Sequence, residues 1–255
     1  MPSRAPGVWM ALGFVALYFV LQWTVSFIAA AVIVLASGFP DVRTALIGER
    51  IQTMLTQPDL RSAVAILTLA GAALPILWLM RRSWPTLWSM PKPPGFGFAL
   101  PVRNAFFAVA IGIGLAAPVV GSWLTQLLAQ GHQVPQDIRQ LGMQASPALR
   151  VSLVMIVASL GPLVEELLFR GLLLSALLRR MKVAWAVSAS ALLFALIHLP
   201  GLQWHGYALP ALALLAAALA WLRLRSGSLW PSVLAHSVNN LLAVAVWFVA
   251  IKPPG

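Results

Sequence analysis

Two adjacent glutamates, Glu165 and Glu166, stand inside the stretch GPLVEELLFRGLLL of a chain that has only six acidic residues. Arg170 follows four residues later. Further along, FALIH carries Phe194 and His198 one helical turn apart, and HSVNN carries His236 and Asn240 at the same spacing. All of these lie in runs apolar enough to cross a bilayer. A charge at a helix centre there costs about 2.5–3.5 kcal/mol on insertion scales. Ionisable residues kept in such places usually face the bundle interior and mark function.

The residue types point to hydrolysis. A carboxylate in an apolar cavity has its charged form disfavoured, which makes Glu165 a candidate general base for water. Two imidazoles and a carboxamide, from His198, His236 and Asn240, can supply donors to the oxyanion formed when water attacks a carbonyl. Such a set needs no Ser or Cys nucleophile, and the chain has no cysteine. Neither a GxSG serine motif nor a GxGD aspartate motif occurs, and no aspartate sits within an apolar run. Two His and one Glu also form a known zinc set, so Glu165, His198 and His236 are the candidate ligands if a metal takes part. The lack of HExxH and the poor affinity of Asn for zinc favour the metal-free version. No cofactor is firmly implied.

Each residue also has a plainer reading. Glu166 and Arg170 share a helix face in the favourable acid-before-base order, as a buried pair that fixes packing would. Glu165 lies about 100° around the helix from Glu166 and has no basic partner at helical spacing. A lone membrane histidine is commonly a packing residue bonded to a neighbouring carbonyl. His205 and His132 fall in loops and receive no role.

The elements that must position this set are membrane helices. The chain is 60% hydrophobic and 9% charged, against about 25% charged in soluble domains. Apolar stretches of about 20 residues predict an all-α transmembrane bundle of about seven spans, near 9–37, 62–80, 105–129, 151–178, 183–199, 207–222 and 229–251. An N-terminal arm of about three spans (1–148) would precede a catalytic-type bundle (149–255). The net charge of +11 sits in short loops, where it signals topology rather than nucleic-acid binding.

With the N-terminus cytoplasmic, ten basic residues fall inside: Arg4, Arg81, Arg82, Lys92, Arg103, Arg179, Arg180, Lys182, Arg223 and Arg225. Six fall outside: Arg43, Arg50, Arg61, Arg139, Arg150 and Lys252. That is the direction the positive-inside rule requires. Used as rulers, these charges place Glu165 about 21 Å from Arg179 and His198 about 24 Å from Lys182. His236 and Asn240 lie about 16 and 22 Å from Arg225. Three helices thus bring polar groups to one layer.

The ordered set EExxxR, FxxxH and HxxxN, within EELLFRGLL, FALIHL and SGSLWPSVLAHSVNNLL, resembles the three motifs of the CAAX protease and bacteriocin-processing family. The match runs from Leu149 to Leu242. The resemblance implies an intramembrane endopeptidase related to the type II CAAX prenyl endopeptidase, multi-pass in the cell membrane, with a cavity open towards the cytoplasm. It implies that Glu165 activates water with support from Glu166, and that Arg170 orders the glutamates or holds a substrate carboxylate. His198 would help position the water, while His236 and Asn240 would stabilise the oxyanion. The expected partners are a peptide or membrane-protein substrate and the lipid bilayer, with no nucleic acid. Competing readings are a transporter or proton relay, since intramembrane Glu and His serve that role too, and a non-catalytic immunity or scaffold protein.

Overall fold

Apolar runs punctuated by Pro, Gly and basic clusters become eight helices among the described residues. These are α1 Val8–Ala36, α2 Pro58–Ser83, α3 Ala105–Ala129, α4 Asp137–Gln144 and α5 Pro147–Leu178. They continue with α6 Val183–Leu196, α7 Leu209–Ser226 and α8 Trp230–Val249. The computed structural model describes residues 5–36, 56–132, 134 and 137–249, and no strand occurs among them. The topology markers Arg4, Arg43, Arg50 and Lys252 lie outside the described residues.

Helices occupy all seven expected segments. Five of them, α1, α2, α3, α5 and α7, are long and apolar enough to cross a bilayer by length and composition alone. The other two are α6, with 14 residues, and α8, which carries His236, Asn239 and Asn240. The chain is an all-helical, multi-pass membrane protein. Most exposed tryptophans stand near helix ends, Trp9, Trp78, Trp185, Trp221 and Trp230 towards one end of the bundle and Trp123 and Trp204 towards the other, while Trp23 stands midway along α1. Indole rings collect at headgroup level in this way because one end of the ring is apolar and the other polar.

Two departures from the expected spans have local causes. The helix expected to reach residue 199 ends at Leu196. Pro200 has no N–H to offer the Leu196 carbonyl, and Leu199 N takes that oxygen at 3.1 Å in a tighter turn. The short helix α4 was expected as loop, being too short and polar to span; its Leu141 is buried in a cluster with Trp247 of α8.

Helix α5, which carries the glutamates, is wound unevenly. Wide π-turns at Ile156–Leu160 and Leu167–Leu173 flank the regular turn Gly161–Glu166. Pro162 cannot donate to the Ala158 carbonyl and its ring crowds that oxygen, which accounts for the first π-turn. Carbonyls in both turns accept side chains from other helices: Val157 O from Asn240 at 3.0 Å, and Phe169 O from Ser190 at 3.3 Å. Such turns are frequent at functional sites.

Helices α3 and α8 approach closely at Gly114, where a Cβ would lie 2.7 Å from the Ala235 carbonyl and from Val238 Cβ. Small residues permit this contact, as they do between membrane helices generally. The main core joins α1 and α2 (Val15, Tyr18, Ile76) to α5 and α6 (Leu167, Leu168, Phe194). Packing is therefore continuous across residue 148.

One end of the bundle is closed by the segment between α2 and α3. Trp84, Leu87 and Phe96 are buried there, with Phe96 N bonded to Leu87 O at 2.7 Å and Leu229 N to Gly97 O at 2.7 Å. Arg223, expected as a loop charge, is instead buried and donates to Pro91 O at 2.7 Å and Gly95 O at 2.8 Å. Gly97 has φ +83°, and a Cβ there would meet the Arg223 guanidinium at 2.6 Å. This plug lies at the basic end, where Arg179 of the turn after α5 also holds Ala5 O at 3.1 Å.

Candidate active site

The expected site residues meet in one place, supplied by α5, by the end of α6 with the turn after it, and by α8. Glu165 Oε2 lies 3.9 Å from His198 Nε2 and 3.8 Å from His236 Nε2. Glu166, fully buried on the next face of α5, accepts from His236 Nδ1 through Oε1 at 2.9 Å. Arg170 Nη1 lies 3.1 Å from the same oxygen, though it is not aligned as a hydrogen bond. Its Nη2 donates to Ala216 O of α7 at 3.1 Å. The Arg170 guanidinium also lies 4.5 Å from the centre of the Phe194 ring. Phe194 in turn sits 4.7 Å from the His198 ring and 5.8 Å from the His236 ring. It wedges both imidazoles.

The ring protons follow from the partners. His198 N bonds to Ala195 O in the tightened turn, which leaves Phe194 O for its own Nδ1 at 2.7 Å. A carbonyl only accepts, so Nδ1 carries the proton. The same logic applied to the Glu166 carboxylate puts the His236 proton on Nδ1. Each ring turns its Nε2 towards Glu165, so that Oε2 and the two ring nitrogens face one another.

Arg170 is 1% exposed, with Nη2 on Ala216 O and Nη1 beside Glu166. Asn240 gives one Nδ2 proton to Val157 O and receives Asn239 Nδ2 on its Oδ1 at 3.1 Å. Its second N–H is left for a ligand.

A metal at these residues would need three ligands drawn to one point. Imidazoles with Nδ1 fixed by a carbonyl or carboxylate are the usual metal-binding form. Among the described residues no three His, Cys, Asp or Glu side chains have the spacing of a formed metal site; Glu165, His198 and His236, at 3.8–3.9 Å, would have to draw closer to hold an ion.

The Glu165 layer opens into a cavity of about 740 Å³. Its walls include Gln22 and Ser26 of α1, Arg61 and Thr68 of α2, and Asn239 of α8, none of which the motif pattern identified. Gln22 and Ser26 stand four apart, on one face of an otherwise apolar helix. That was a readable signal. Thr68 Oγ1 is buried without a hydrogen-bond partner among the described residues.

Residues 147–242 match the family model described as type II CAAX prenyl endopeptidase Rce1-like. This segment belongs to the CAAX protease family. The Rce1-like segment holds α5, α6, α7 and the site-bearing part of α8, and with them Glu165, Glu166, Arg170, Phe194, His198, His236 and Asn240. Searches of curated proteins and of solved structures return no match. The walls that α1 and α2 add to the Rce1-like site lie outside the matched segment.

Proposed function

We propose that the chain is an intramembrane endopeptidase that hydrolyses a peptide bond with a water activated by Glu165. The observation that carries this reading is the meeting of Glu165 Oε2, His198 Nε2 and His236 Nε2 across 3.8–3.9 Å. A water set between them can donate to Glu165 and bond a ring nitrogen. Its oxygen is then turned towards the cavity, where a scissile carbonyl would lie.

In the proposed reaction the water oxygen bonds to the carbonyl carbon as its proton passes to Glu165. The developing oxyanion meets the remaining N–H of Asn240. The C–N bond then breaks, and Glu165 returns the proton to the leaving amine. Glu166 and Arg170 position His236; neither touches the reacting atoms. The substrate is a peptide or a membrane-protein segment. The seven-span arrangement, with the N-terminus cytoplasmic and the chemistry in residues 149–255, belongs to the same proposal.

The test is cleavage of a responsive peptide by purified wild type and Glu165→Gln. The variant keeps the shape of the side chain and removes the base, so turnover should fall on the order of 10²–10⁴-fold with thermal stability retained. Cleavage by the Gln variant at the wild-type rate would end the mechanism.

A further inference from the structure

We propose that Tyr18 of α1 is a positioning residue for the general base: its hydroxyl donates to the carboxylate of Glu165 and holds it against the two imidazoles. The role of Glu165 as base rests on the function proposed above; the bond between the two side chains does not.

A buried phenol needs a partner. Serine and threonine on a membrane helix can turn their hydroxyls back to the preceding turn, as Thr24 does to Val20 O at 2.8 Å. A tyrosine hydroxyl stands too far from its own backbone, and when buried it usually finds its partner on a neighbouring element. Tyr18 is 1% exposed, and its Oη is buried with no hydrogen-bond partner. Leaving such a donor unmade is unfavourable, and phenylalanine would fill the same space without that penalty. The hydroxyl therefore calls for a use that packing does not supply.

Its place in the fold names the acceptor. Tyr18, Gln22 and Ser26 stand four apart, on one face of α1. Gln22 and Ser26 are in the wall of the cavity to which Glu165 also contributes. Tyr18 is one turn nearer the start of α1, in the core with Leu167 and Leu168 of α5, where α1 packs along the second π-turn. The phenol is close enough to the Glu165 carboxylate to feel its charge.

Glu165 has an oxygen to spare. Oε2 faces His198 Nε2 and His236 Nε2, and Oε1 takes no part in those contacts. The nearby cations do not hold it: Arg170 lies on Glu166 and Ala216 O, and Arg61 stands in the first turn of α2. A hydroxyl on Oε1 fixes the rotation of the carboxylate and leaves Oε2 to take the proton of the water. A base on a flexible side chain gains from this, since a misplacement of about 1 Å can reduce the rate on the order of 10²-fold. Tyr18 lies outside the matched residues 147–242, so α1 completes the site with a group that no motif of that segment contains.

The chain has two tyrosines, Tyr18 and Tyr207, so isotope labelling of the tyrosine Cζ gives two NMR resonances, assigned with Tyr207→Phe. Glu165→Ala, which removes the acceptor, should shift the Tyr18 resonance and leave that of Tyr207 in place. Tyr18→Phe should melt no lower than the wild type, because it removes a hydroxyl that packing leaves unpaired. Its kcat should nevertheless fall on the order of 10–10²-fold, the effect of one hydrogen bond to a charged group. KM should stay unchanged, because Tyr18 does not touch the substrate. Wild-type kcat in Tyr18→Phe, or a Tyr18 resonance that Glu165→Ala leaves unmoved, overturns the proposal. The resonance is read without turnover, so a failure of the hydrolytic mechanism in the Glu165→Gln assay is seen separately.

Discussion

His236 holds Glu166 through Nδ1 at 2.9 Å while its Nε2 faces Glu165 at 3.8 Å, so one imidazole links the two adjacent carboxylates. The glutamates thereby divide their duties. Glu166 has no exposure and fixes the ring; Glu165 is 21% exposed and meets the cavity. Adjacent positions on a helix point about 100° apart, which is what allows one residue to face the core while the next faces the substrate.

Removing Arg170 should unfold the site. Arg170→Ala leaves Glu166 buried without its cation, and breaking one partner of a buried pair costs about 3–5 kcal/mol. Thermal melting in detergent should show a large downward shift. The double variant Glu166→Gln with Arg170→Met should recover much of that stability while activity stays low, because His236 loses its carboxylate partner.

Asn240→Ala should lower kcat on the order of 10²–10³-fold, the usual cost of one oxyanion donor, and leave KM close to the wild-type value. The same substitution removes the bond to Val157 O. Asn240→Asp keeps the volume and can donate neither to Val157 O nor to an oxyanion, so an equal loss in both variants identifies the N–H groups as what matters. A loss confined to Ala would assign the residue to filling space at the site.

Turnover is expected to persist after dialysis against a chelator, with no stoichiometric zinc in the purified protein. Zinc that co-purifies at one equivalent, with reversible loss of activity on its removal, would show Glu165, His198 and His236 drawn together as ligands.

Gly114→Val should separate α3 from α8. Its Cβ would fall 2.7 Å from the Ala235 carbonyl, one residue before His236. Overpacking of this kind costs about 1–3 kcal/mol, and the shift of α8 should abolish cleavage even where the protein still folds. Gly112, whose Cβ would meet nothing within 4 Å, serves as the control: Gly112→Ala should be silent.

The convergence of Glu165, His198 and His236 was legible in the sequence because polar groups are costly in hydrocarbon and stand out against it. Distances to the basic loops brought them to one layer for the same reason. The plug was not legible. Its aromatic and Pro-rich sequence reads as a connecting loop, and what folds it is Arg223, more than a hundred residues away. The π-turns were equally hidden, since Pro162 signals a distortion without saying which kind. Rulers measured from the basic end gave the depth of the site but not its walls, part of which α1 and α2 supply without a motif.

Because the Phe96 and Arg223 floor closes the bundle beneath the carboxylates, the chamber is a cul-de-sac. On the proposed function, water would reach Glu165 without a path through to the other compartment, and cleaved fragments would back out through the mouth by which the substrate arrived.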